Sequence, residues 1–99
     1  MTKFGELIGS NIPVLIDFYA EWEEGDSNNL HGFLRDVAAA LGDKAKVIKI
    51  DIEKNEMLAN TLRIKGNPTF IIYKDGEMKW RQSGEQDANT LISLVQQYI

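Results

Sequence analysis

Carboxylates dominate the residues of this chain whose types and spacing could do chemistry. Glu21, Glu23, Glu24 and Asp26 crowd into a single turn's length beside Trp22, just before a helical run that begins at Ser27. Hard cations such as calcium or magnesium favour oxygen ligands of this kind, yet no ligand loop of established spacing is present. Carboxylates are also favoured at a helix start, where the unpaired amides and the helix dipole stabilise negative charge, and solvated charge is the simpler account. No metal or other cofactor is expected. His31 is the only histidine, and neither a metal triad nor a Ser-His-Asp constellation is indicated around it. The chain has no cysteine, which excludes a thiolate nucleophile, a disulfide framework and any cysteine-ligated zinc or iron–sulfur site. Asp17 is the remaining anomaly, a charge inside the apolar run Val14-Leu15-Ile16-Asp17-Phe18-Tyr19.

The elements that must position these residues follow from periodicity and turn chemistry. The chain has 99 residues, enough for one compact core and too few for two, so a single domain over residues 1–99 is expected. Its 43% hydrophobic and 26% charged residues are those of an ordinary globular protein. A net charge of −4 without a basic block argues against a nucleic-acid surface. No stretch approaches the roughly 20 apolar residues that span a bilayer, and no charged n-region leads into an apolar h-region, so the default expectation is a cytoplasmic protein with no membrane partner.

Lys3 to Ile8 reads as a short amphipathic helix carrying Phe4, Leu7 and Ile8, ended by Gly9-Ser10-Asn11 before Pro13. Val14 to Tyr19 is nearly continuously apolar and β-favouring, as in a strand buried on both faces. From Ser27, the residues Leu30, Phe33, Leu34, Val37, Ala38 and Leu41 recur at the spacing of one helix face, Gly42 supplies a stop, and Asp26 or Ser27 would serve as N-cap. Val47 to Ile52 is a second strand, Asn55 to Arg63 a short helix and Thr69 to Tyr73 a third strand. Asp75-Gly76 is a type I′ turn signal that sends Glu77 to Ser83 back antiparallel, with Trp80 on a solvent-exposed strand. A last helix would turn Leu91, Ile92, Val95, Tyr98 and Ile99 inward. The order α-β-α-β-α-β-β-α combines a βαβ crossover with a hairpin, which implies a mixed sheet with helices on both faces.

The segment Pro13-Val-Leu-Ile-Asp-Phe-Tyr-Ala-Glu-Trp22 closely resembles the strand leading into the active site of thioredoxins. Further landmarks arrive in the family's order: Lys49 in Val47-Ile-Lys-Ile-Asp-Ile52, the segment Ile64-Lys-Gly-Asn-Pro-Thr69, the Asp75-Gly76 turn and Gly84. The resemblance implies an α/β thioredoxin fold with a mixed central sheet of about four strands, because only a helix precedes the Pro13 strand where the family has a first strand. In the family the tryptophan is followed by Cys-Gly-Pro-Cys-Lys; here Trp22 is followed by Glu23-Glu-Gly-Asp-Ser27, so Glu24, Gly25, Asp26 and Ser27 stand at the four motif positions. Disulfide exchange requires a thiolate, and neither a carboxylate nor an alcohol can form a mixed disulfide.

By the same resemblance Asp17 is the family's buried aspartate beneath the active site, here without thiols to serve and expected as a structural remnant in a buried charge pair with Lys49. Pro68 matches the cis-proline that presents a backbone edge to extended peptides, with Asn67 where a β-branched residue is usual. The reading is a redox-inactive, monomeric domain that binds an unidentified protein or peptide through Trp22, Gly25, Asn67, Pro68 and Gly84. The alternative is a disulfide oxidoreductase by descent whose active-site cysteines are replaced; a module docking through its exposed sheet edge is a third possibility.

Overall fold

The computed structural model describes residues 3–20, 27–64 and 68–99. Within them four α-helices and four strands follow in the order α1 (Lys3–Ile8), β1 (Val14–Tyr19), α2 (Ser27–Leu41), β2 (Lys46–Asp51), α3 (Glu56–Thr61), β3 (Thr69–Lys74), β4 (Glu77–Ser83) and α4 (Ala88–Gln96). The strands form one sheet in the order β2-β1-β3-β4. The β1–β2 pair is parallel, and β1–β3 and β3–β4 are antiparallel, which is the mixed sheet expected from a crossover joined to a hairpin.

β1 can be almost wholly apolar because it has a strand on each side and a packed layer on each face. Val14, Ile16 and Phe18 enter one core with Ile71, Tyr73, Ala59 and Ile64, against which Phe4 and Ile8 of α1 and Leu58 of α3 pack. Leu15 enters the other with Phe70, Ile72, Leu34, Val37, Leu41, Leu91 and Val95, the meeting place of α2 and α4. Full burial of one such side chain contributes roughly 1.5–3 kcal/mol relative to leaving it in water. Phe33 and Phe70 meet edge-on at 6.0 Å between ring centroids, as do Phe4 and Tyr73 at 5.5 Å, extending the apolar layers with favourable quadrupole geometry.

Local chemistry sets the ends of the elements. Gly42 adopts φ +58 and closes α2, and Asp75 and Gly76 have φ 55 and 79, the two positive values that a type I′ hairpin needs. The hairpin tip is tied to the end of α1: the Asp75 amide donates to the Ser10 carbonyl and the Gly76 amide to the Ile8 carbonyl, both at 2.9 Å. Asp87 is the N-cap of α4, its Oδ1 accepting from the Thr90 amide at 2.7 Å.

Several expectations need correction. Ala38 is exposed rather than part of the inward stripe of α2, because Val37 and Leu41 already fill the space over the sheet. Leu7 lies at the surface, and Ile99 is 53% exposed because α4 ends at Gln96 and the chain beyond it no longer follows the helical stripe. Trp80 is half-buried against the α2–α4 core, since β4, although an edge strand, turns one face toward those helices. The short helix spans Glu56–Thr61 rather than Asn55 to Arg63, because Arg63 takes φ 57 and breaks it. Lys49 is exposed, so of the expected buried pair only Asp17, at 1% exposure, is in the core. Of the N-cap candidates, Asp26 and the side chain of Ser27 lie outside what the structure describes.

Candidate functional site

Of the residues singled out from the sequence, Pro68 and Gly84 lie at one end of the sheet. β1 and β2 run parallel and finish there at Tyr19 and Asp51, with Phe18 opposite Thr69 at the start of β3 and Thr69 opposite Ser83 at the end of β4. The carboxyl ends of parallel strands are where open α/β sheets most often place ligands. The chain leaves β1 at this end through Ala20, and Pro68 enters β3 at the same end.

Pro68 and Gly84 are brought together directly. The Gly84 amide donates to the Pro68 carbonyl at 2.8 Å, and the Thr69 and Ser83 hydroxyls lie 3.1 Å apart one step further into the sheet. Gly84 holds φ +100, a backbone conformation strained for any side chain, although a Cβ there would meet nothing within 4 Å. Its glycine is therefore required by conformation rather than by space.

Asp17 is opposite Lys49 on one side and Phe70 on the other. Strand alternation places its carboxylate on the same face as Leu15, below this end of the sheet. The side chain of His31 and residues Glu21, Trp22, Glu23, Glu24, Gly25, Asp26 and Asn67 lie outside what is described, and so does the Asn67–Pro68 bond.

Two features escaped sequence reasoning. The first is how α3 ends. The Ile64 amide donates to the Ala59 carbonyl at 2.9 Å and the Arg63 amide to the Asn60 carbonyl at 3.1 Å, the paired bonds of a Schellman motif with Arg63 in the position usually held by glycine. Arg81, reaching across from β4, donates from Nη1 to the Leu62 carbonyl at 2.5 Å and from Nη2 to the Arg63 carbonyl at 2.9 Å. One guanidinium thus caps the helix and holds the chain just ahead of Ile64. The apolar contact that accompanies such a motif, Ile64 with Ala59, sits in the α1–α3 core. The second feature is a groove of about 400 Å³ lined by Ile52, Glu53, Glu56, Ala59, Asn60 and Ile64. It opens beside the end of β1, where the Ile52 amide donates to the Tyr19 carbonyl at 2.9 Å. The only signal for either in the sequence was the apolar spacing Ile52, Ala59, Ile64.

The thioredoxin family model matches residues 1–97. The chain belongs to the thioredoxin family. It is 43% identical over 96 residues to the rice protein named thioredoxin Y, chloroplastic, covering 96% of this chain and 56% of that one. It is 33% identical over 94 residues to the thioredoxin of Rickettsia prowazekii, covering 95% of this chain and 89% of that one. Among solved structures, a mutant thioredoxin of Halobacterium salinarum superposes with a TM-score of 0.78 at 32% identity, covering 99% of this chain and 84% of that one. The chain therefore spans just over half the length of the chloroplastic relative it matches. The sheet order and helix placement are those of a thioredoxin fold.

Within that family this chain lacks the element that does the chemistry. It contains no cysteine, so it has no thiolate to offer a disulfide. Among the described residues no group of three or more histidines and carboxylates could hold a metal ion, and no helix is long and apolar enough to cross a membrane.

Proposed function

We propose that this thioredoxin-family chain is a redox-inactive binding module that holds a protein or peptide segment on the former active-site face. The observation that carries the reading is the combination of a complete absence of cysteine with the bond at that face from the Gly84 amide to the Pro68 carbonyl. An extended partner segment would lie along Pro68 and Gly84, with Trp22, Gly25 and Asn67 completing the surface and the Asn67–Pro68 bond cis. Trp22 is the natural anchor, since aromatic side chains bury a large area at few rotatable bonds. In this reading the chain acts as a monomer in the cytoplasm and catalyses nothing; an organellar pattern for the tagged chain would overturn that placement.

The experiment is quantitative affinity capture from native extract, comparing the parent with a Trp22→Ala, Asn67→Ala double variant of confirmed fold. Partners retained by the parent and lost by the variant support the module. Equal capture by both would sink it.

A further inference from the structure

The groove beside the end of β1 has a composition suited to one class of side chain. Ile52, Ala59 and Ile64 make an apolar wall continuous with the core, and the polar residues Glu53, Glu56 and Asn60 complete the lining. Among the described residues that line it, none is basic. Its geometry is well determined by the backbone. The Asp51 carboxylate accepts from the Glu53 amide at 2.8 Å and the Asp51 carbonyl accepts from Asn55 Nδ2 at 2.8 Å, which fixes the turn that carries Glu53 and Glu56. Ile64 is held on the opposite side by its bond to Ala59 and by the Arg81 clamp.

A purely apolar side chain would cover the wall and leave two carboxylates facing it, and an acidic one would be repelled. A long aliphatic stem ending in a cation satisfies both surfaces, lying on Ile52, Ala59 and Ile64 while its head meets Glu53 and Glu56. We infer that this groove is a subsite for an arginine or lysine side chain of the bound protein segment, so that the module selects basic partners. This deepens the binding-module reading and rests on it. The groove opens beside the end of β1, the end of the sheet that carries Pro68 and Gly84, so one extended segment crossing the face could place a side chain in it.

The test uses two fluorescein-labelled nonapeptides of the same flexible sequence, one with a central arginine and one with norleucine in its place, each flanked by valines. Affinities are measured by anisotropy with the parent and with a Glu53→Gln, Glu56→Gln variant, and binding is mapped by amide chemical shifts. The arginine peptide is expected to bind about 5-fold more tightly, as for one or two partly exposed ion pairs. That margin should vanish in the variant and in 0.5 M salt, whose Debye length is only about 4–5 Å. Shifts should centre on Ile52, Ala59 and Ile64. Equal binding of the two peptides by the parent would overturn the subsite and leave the module standing. An arginine preference that survives in the variant would likewise overturn it, by placing cation recognition elsewhere. Failure of both peptides to bind would overturn the module and the subsite together.

Discussion

Replacing Arg81 by methionine tests whether the clamp on α3 holds the structure or merely decorates it. The substitution keeps most of the stem, which lies half-buried on β4, and deletes both donors to the Leu62 and Arg63 carbonyls. A hydrogen bond from a charged donor contributes about 1.5–3 kcal/mol net when desolvated. These carbonyls lie near the surface and water can replace part of each bond, so the expected total loss is about 2 kcal/mol rather than the sum of two full bonds. For a domain of this size the urea dependence is roughly 1–1.5 kcal/mol per molar, so the midpoint should fall by about 1.5 M. Arg81→Lys retains one donor and should lose about half as much. The assay is equilibrium urea unfolding followed by tryptophan fluorescence and far-ultraviolet circular dichroism. A midpoint for Arg81→Met within about 0.3 M of the parent would refute the claim that the guanidinium stabilises the end of α3.

Arg63→Gly removes a side chain from a backbone at φ 57, and after the entropy cost of glycine it should stabilise by about 0.5–1 kcal/mol, read as a higher urea midpoint. Asp87 has its carboxyl held below the ordinary value by the Thr90 amide, so the stability it contributes is present above the ordinary carboxylate range and is lost as pH falls through its lowered folded value. Asp87→Asn keeps an acceptor and should flatten the melting-temperature profile below about pH 4 while changing it little near neutrality. Burial pushes the Tyr73 hydroxyl above its ordinary value, the nearby Arg81 charge opposing it in part. The neutral phenol thus contributes stability that is fully present below about pH 10 and is lost as pH rises toward its raised folded value, and Tyr73→Phe should flatten the alkaline limb of the same profile.

What could be read from the residues alone divides by range of interaction. β1 was legible to the residue because five of the six positions after Pro13 are apolar or aromatic, with Asp17 the one exception, and the Asp75-Gly76 hairpin was legible because two positive φ values demand those residue types. Ala38 and Trp80 were misjudged because periodicity says which side of an element a residue occupies and not how far the opposing layer extends over it. The ion pair expected of Asp17 and Lys49 had the right register and the wrong depth: β2 is an edge strand, so its lysine reaches water while the aspartate of the central strand cannot. The α3 cap was invisible because its left-handed position carries Arg63 instead of glycine, and its stabilising partner lies 18 residues away on β4. The acidic groove needed Ile52 and Ile64 to be folded onto Ala59 before its shape existed.

The position of β2 in the sheet has a consequence for exchange with solvent. The Lys46 and Ile52 amides both point inward, to the Pro13 and Tyr19 carbonyls, and every second residue of a strand points the same way. The amides of Ile48 and Ile50 are therefore directed into the ladder with β1, whereas those of Val47, Lys49 and Asp51 are directed outward. In deuterium the strand should divide into a slow set and a fast set at alternate positions, a comb whose open teeth report on themselves. Any chain that lays itself along this edge would close the comb, slowing Val47, Lys49 and Asp51 together without altering their neighbours.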